Sequence, residues 1–170
     1  MITTRTNVLA RLAATGAVLL AAQACTEPVA NKAVAAPEQT LEARLLLSDS
    51  LPAVGATVDV FAQVTAAMPE MIGSYTARIR YDTTALRYDR EIAIADDALR
   101  ATNPTGGVLR FAGAAPNGLA SGRLAGYRFV VLSSNAMQSL QLVVDEMHTV
   151  TRTDAASRVR AMPARAGVAP

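Results

Sequence analysis

The chain has 170 residues and a mass of 17.7 kDa, which is enough for one domain of ordinary size rather than two. Its one Cys and one His exclude an intramolecular disulfide framework, a zinc site of paired cysteines and a multi-histidine metal centre. With 16 Lys and Arg against 14 Asp and Glu, the composition does not indicate nucleic-acid binding, which usually needs a concentrated basic patch.

The first 24 residues predict a secretory signal peptide. Arg5 and Arg11 make a basic start without acids, and the uncharged run Leu12–Ala22 follows. A basic segment, an apolar stretch and small residues at its end are typical of such a signal. A transmembrane helix is the alternative, but it needs about 20 apolar residues, roughly twice this run. Without Arg5 and Arg11, 14 basic side chains face 14 acidic ones, so the mature chain has no net charge.

The end of this segment has two interpretations. Ala22-Gln23-Ala24 fits the small-x-small cleavage site of ordinary secretion. Ala21–Cys25 also resembles the bacterial lipobox, in which a Cys becomes the first mature residue and is diacylated; that pattern prefers Leu at Ala22 and a small residue at Gln23. Cys25 is the only Cys of the chain, and two acyl chains give stable anchoring. We therefore expect lipidation of Cys25 and a place in the bacterial cell envelope, periplasmic or surface-exposed, with plain secretion as the alternative.

Residues 25–40 predict a flexible linker, because two prolines occur there without aromatic residues or apolar periodicity. From Leu41 the pattern changes to short apolar or alternating segments separated by turn residues. The first four predicted strands are Leu41–Leu47, Thr57–Val64, Ser74–Tyr81 and Leu86–Ile94.

The second half continues in the same way. Asp96–Ala101 is ambiguous between a short helix and a strand, and Asn103–Gly107 predicts a turn. The later predicted strands are Val108–Ala115, Gly122–Leu132, a strand marked by Leu140, Leu142 and Val144, and a last one around Ser157–Ala161. Seven to nine short strands without a long amphipathic helix favour an all-β fold, an antiparallel β-sandwich over residues 41–160, with 161–170 as a disordered tail.

Three segments in this order resemble the cohesin family and its relatives among carbohydrate-binding modules. They are Val54–Val60, Tyr75–Leu86, and Gly122–Leu132 followed by Leu140–Glu146. The resemblance covers roughly Leu41 to Asp154. It implies a jelly-roll sandwich without catalytic residues that binds dockerin modules through an exposed sheet face, whereas relatives in the wider superfamily bind polysaccharides.

Four side chains are the candidate binding residues. Phe61 and Tyr88 are the two aromatic rings expected to point outward, where a polysaccharide platform would need them. Arg78 and Arg80, with Arg110 and Arg128, lie on the polar faces of predicted strands and form a possible stripe for acidic partners. The alternative is that these arginines are solvated and paired with the equal number of acids.

No constellation supports catalysis. Asp145–His148 is the densest cluster of functional side chains, but adjacent strand residues point to opposite faces, which favours a solvated strand end. Asp96-Asp97 offers too few oxygens for calcium, and Ser121 is not in a G-x-S-x-G turn. The sequence predicts a non-catalytic module without cofactor or metal that binds a dockerin-like or other envelope protein, or alternatively polysaccharide.

Overall fold

The computed structural model describes residues 40–66, 71–119 and 122–167. The predicted signal peptide, Cys25, most of the predicted linker and Ser121 lie outside these ranges. The described strands are β1 (Leu41–Leu47), β2 (Thr57–Ala66), β3 (Ile72–Arg80), β4 (Leu86–Glu91), β5 (Leu99–Thr105), β6 (Val108–Ala114), β7 (Arg123–Val131), β8 (Gln141–Thr149), β9 (Val159–Ala161) and β10 (Arg165–Ala166). Two short 3-10 helices cover Ala136–Ser139 and Ala156–Arg158.

The strands form two sheets. Sheet A has the order β10-β1-β2-β7-β4, with β9 also paired to β1, and sheet B has the order β5-β6-β3-β8. All pairs are antiparallel except those of β1 with β9 and β10, which are parallel. The predicted all-β sandwich is confirmed. The described ranges contain ten strands where seven to nine were expected, and the two shortest, β9 and β10, both pair with β1.

The core lies between the two sheets and follows the period-2 pattern of the sequence. In β2, Val58 and Val60 are buried, as are Tyr127 and Phe129 in the neighbouring β7. Phe111 of sheet B meets Tyr127 edge-to-face at 5.7 Å between ring centroids. Aromatic pairs in this geometry stabilise a fold beyond the contribution of their buried area, so these rings help to hold sheet B against sheet A.

The loop between β5 and β6 is shorter than predicted. Asn103, Pro104 and Thr105 belong to β5, and only Gly106-Gly107 forms the turn, with Gly107 at a positive φ of 75°. Proline lacks the N–H that a central strand must donate, but β5 is the edge of sheet B, where this is tolerated. The ambiguous segment before it resolves into a bend followed by a strand from Leu99.

The predicted disordered tail is wrong for residues 161–167. The Met162 N–H donates to Ala43 O at 2.7 Å, and the Gly167 N–H donates to Leu47 O at 2.9 Å. The segment pairs with β1 because the edge of a sheet otherwise leaves backbone groups unpaired. The sandwich therefore extends past residue 160 into β10.

Candidate binding face

The outward face of sheet B is the candidate site. Along β3 the side chains alternate, so that Tyr75, Ala77 and Ile79 enter the core while Thr76 and Arg78 face outward. We define the sheet B face as the outward side chains of its four strands: Leu99, Ala101, Asn103 and Thr105 of β5; Val108, Arg110, Ala112 and Ala114 of β6; Ser74, Thr76, Arg78 and Arg80 of β3; Gln141, Val143, Asp145, Glu146 and His148 of β8. Small and polar residues dominate it.

One end of this face holds a shallow depression of about 470 Å³. Its floor is made of small side chains from neighbouring strands, including Ala101 of β5, Ala112 of β6 and Thr76 of β3. Leu99 stands at one rim with 75% of its surface exposed, and Glu146 lies at the opposite rim. The depression exists because three adjacent strands present short side chains at the same level.

Asp145 and Glu146 both reach the sheet B face, contrary to the sequence argument that neighbouring strand residues diverge. The register of β8 against β3 shifts between Thr76, opposite Glu146, and Ala77, opposite Val144, which makes Asp145 an extra residue. Such a bulge re-aims side chains. Asp145 accordingly pairs with the outward Arg78 at 3.0 Å, while Glu146 lines the depression.

Asp96, Arg100 and Tyr75 form a hydrogen-bonded cluster behind the depression, which we call the clamp. Arg100 of β5 binds both carboxylate oxygens of Asp96, at 2.5 and 2.6 Å, and its Nε donates to Leu124 O of β7 at 2.7 Å. The Tyr75 hydroxyl donates to the same Leu124 carbonyl. These contacts tie sheet B to sheet A at the rim of the depression.

The surroundings of the clamp shift the pKa values of two of its residues. The hydrogen bond from Arg100 lowers the pKa of Asp96, and burial raises the pKa of Tyr75. Opposite Tyr75, Gly113 leaves the space that the ring occupies, because a Cβ there would overlap the ring. This arrangement holds the Arg100, Asp96 and Tyr75 side chains in place.

The predicted arginine stripe does not form as a whole. Arg78, Arg80 and Arg110 share the sheet B face, and Arg78 lies directly opposite Arg110 in the register of β3 and β6. Arg128 lies in sheet A instead, where it holds Asp59 through two bonds of 2.6 and 2.7 Å. Sequence alternation assigned each arginine to an outward face but could not say which sheet that face belonged to.

Phe61 is not an exposed ring. It points away from the core, as its position between Val60 and Ala62 predicts, yet only 6% of its surface is exposed. The Arg123 guanidinium lies 5.1 Å above the ring centre, and Gly126 of β7 supplies the space beside the ring. The proposed polysaccharide contact at Phe61 is therefore not available on this surface.

Tyr88 is also misplaced by the sequence prediction. It shares the inward face of β4 with Leu86, and its ring meets Tyr127 and Phe129 edge-to-face at 6.1 and 6.2 Å. Burial raises the pKa of its hydroxyl. All seven aromatic residues of the chain lie in the described ranges, and none of them presents an exposed ring.

The described ranges hold no group of three or more His, Cys, Asp or Glu side chains arranged to bind a metal. They also contain no helix whose length and apolar character would let it cross a membrane.

Comparison with solved structures identifies the architecture. The second type II cohesin module of an adaptor scaffoldin from Acetivibrio cellulolyticus matches with a TM-score of 0.54 and 10% identity over 78% of this chain and 97% of that one. The sixth cohesin of scaffoldin B from the same organism, solved with a dockerin mutant, matches at 0.55 and 18% identity over 74% and 97%.

A non-cellulosomal cohesin from the archaeon Archaeoglobus fulgidus matches at 0.51 and 16% identity over 72% of this chain and 86% of that one. No protein-family model and no curated protein sequence matches the chain. At these identities the likeness shows the fold: the chain is a β-sandwich of the cohesin type, as its three sequence segments indicated.

Proposed function

We propose that this chain is a non-catalytic interaction module that binds a partner protein through the sheet B face. The observation that carries the proposal is the depression, where Ala101, Ala112 and Thr76 from three strands leave room for a partner's side chains. Leu99, exposed at its rim, offers an apolar surface to a partner, and the buried cores of interfaces are more apolar than the rest of a protein surface.

A protein partner is favoured over a polysaccharide. Sugar-binding platforms rely on exposed aromatic rings, and Phe61 and Tyr88, the two candidates, are covered or turned inward. One of the structurally similar cohesins was solved with a dockerin, which supports a dockerin-like module as the partner class. Another protein of the cell envelope is the alternative within the same class.

The proposal includes a location. The signal-like segment, Cys25 and the linker-like residues 26–40 follow one another in the order that a lipid anchor and tether require. Diacylation of Cys25 would hold the sandwich at a membrane of the bacterial envelope, periplasmic or surface-exposed.

Site-specific photo-crosslinking in the cells that produce the chain tests the partner proposal. A photoreactive amino acid replaces Ala112 in the depression or, as control, Thr65, which is exposed on sheet A. We expect a discrete crosslinked protein from position 112 and none from position 65. The partner, once identified and purified, should bind at least about tenfold more weakly to Ala112→Arg, because the large side chain fills the depression.

Three results would contradict the proposal. They are crosslinking from Thr65 alone, crosslinking from neither position, and unaltered affinity of the partner for Ala112→Arg. Retention of the chain on insoluble polysaccharide that Ala112→Arg abolishes would assign the face to sugars instead. Turnover of a substrate by the purified chain would overturn the non-catalytic part.

A further inference from the structure

We infer that the partner segment that docks on the sheet B face is acidic at one end, where its carboxylates meet an arginine cluster formed by Arg78, Arg80 and Arg110. This inference rests on the proposed function and specifies the chemistry of the partner. It concerns the end of the face opposite the depression, next to the Gly106-Gly107 turn.

The register of the sheet brings the three arginines together. Arg78 is directly opposite Arg110, and Arg80 lies two residues further along β3 on the same face. Directly opposed residues in antiparallel strands have Cβ atoms about 5 Å apart, and residues two apart along a strand are separated by about 7 Å. A ligand of a few carboxylates can therefore contact all three guanidinium groups at once.

The cluster has too few anions of its own. Asp145 pairs with Arg78 at 3.0 Å, but no ion pair is found for Arg80 or Arg110 within the described ranges. The Nε of Arg78 is buried and has no hydrogen-bond acceptor there. Like charges placed directly opposite each other destabilise a sheet. Binding of an external anion relieves this repulsion, so it is more favourable here than at an isolated arginine.

The charges on the rest of the face determine the orientation in which the partner segment docks. From the arginine cluster the face passes to the short side chains of the depression, whose β8 rim carries Glu146 level with Thr76 and His148 level with Ser74. A carboxylate would be repelled by Glu146 and attracted by the cluster. Charge complementarity thus selects a protein segment with acids at one end and small or apolar side chains over the depression.

Binding of poly-L-glutamate to the full chain tests the cluster without knowledge of the partner. Isothermal titration compares the wild type with Arg80→Glu/Arg110→Glu and with a control of equal charge change, Arg87→Glu/Arg90→Glu. The control arginines are exposed on β4 of sheet A. All four substitutions are at exposed positions, and thermal unfolding checks that each variant folds.

We expect saturable binding that the cluster variant weakens by about tenfold or more and the control variant by less than about threefold. The wild-type affinity should fall steeply between about 0.01 and 1 M salt, since the screening length shrinks from ~30 to ~3 Å. Equal weakening in both variants, no binding by the wild type, or binding of heparin without poly-L-glutamate would overturn the inference.

The experiments distinguish failure of the proposed function from failure of the acidic-end inference. If Ala112 yields a partner whose affinity is the same for Arg80→Glu/Arg110→Glu and wild type, the docking role stands and the acidic end is refuted. If poly-L-glutamate binds at the cluster but no protein crosslinks at Ala112, the proposed function fails, and the assignment of the cluster to a docked partner fails with it.

Discussion

The ion pair of Asp96 with Arg100 shows what a single residue contributes to the binding face. Only 11% of the Arg100 side chain and 17% of the Asp96 side chain are exposed, so little water competes for their two hydrogen bonds. Arg100 also donates to Leu124 O across the sandwich. Asp96 therefore orients the arginine that joins the rim of the depression to sheet A.

Asp96→Asn should lower the free energy of unfolding by about 1–2 kcal/mol at neutral pH, because hydrogen bonds to charged groups contribute about 1.5–3 kcal/mol and the exposure of Asp96 as a whole residue places it toward the low end. Because Arg100 lowers the pKa of Asp96 in the folded state, the contribution is complete above the ordinary carboxyl value near 3.8. It is lost as the pH falls through the lowered pKa. The difference between wild type and variant should thus shrink in urea titrations at about pH 3.

The matched control is Asp89→Asn, which removes a carboxylate whose contact with Arg90 at 3.4 Å is largely in solvent. Exposed ion pairs contribute little, about 0–1 kcal/mol, so this variant should stay close to wild type at both pH values. Equal losses in the two variants, or a difference for Asp96 that does not change with pH, would refute the role given to the pair.

For single residues, the sequence predicts the direction in which a strand side chain points better than it predicts how deeply that side chain is buried. Alternation in β2 correctly turned Phe61 away from the core, because direction depends only on the strand's own period. Its burial depends on Gly126 and Arg123, which β7 places beside it from more than sixty positions along the chain. No local pattern carries that information.

Among the elements, β10 makes the clearest departure from the sequence. The segment after Ala161 has no apolar alternation, yet its backbone completes the free edge of β1 through hydrogen bonds at Met162 and Gly167. Strands such as β2 and β7 were predictable because each buries one face. An element held mainly by backbone bonds to a neighbour leaves almost no trace in its side chains.

Removal of residues 162–170 should destabilise the sandwich without unfolding it. The loss of several backbone hydrogen bonds, each contributing about 0.5–1.5 kcal/mol net, should lower Tm by about 5 °C. Differential scanning calorimetry measures this shift. The control deletes residues 168–170 alone, which keeps the Gly167 N–H that donates to Leu47 O of β1. A Tm for the longer deletion equal to that of the control would contradict the pairing.

At the scale of the whole molecule, the sequence predicted the architecture because its three cohesin-like segments span both sheets. Val54–Val60 leads into β2, Tyr75–Leu86 runs from β3 into β4, and Gly122–Leu132 contains β7. The binding face was harder to predict. It depends on the bulge at Asp145 and on which strands become neighbours, and neither follows from the period of any one strand.

The proposed anchor is the property of the whole chain that one substitution tests most directly. Cys25→Ser removes the thiol that would carry the diacylglycerol, so the protein should move from the membrane fraction to the soluble fraction of a bacterium that expresses it. Thr26→Ser, one position further on, should remain with the membrane. Mass spectrometry of the wild type should show a mature chain that begins at a diacylated Cys25. An unmodified Cys25, or a Cys25→Ser variant still bound to membranes, would refute the anchor while leaving the sheet B face to its own tests.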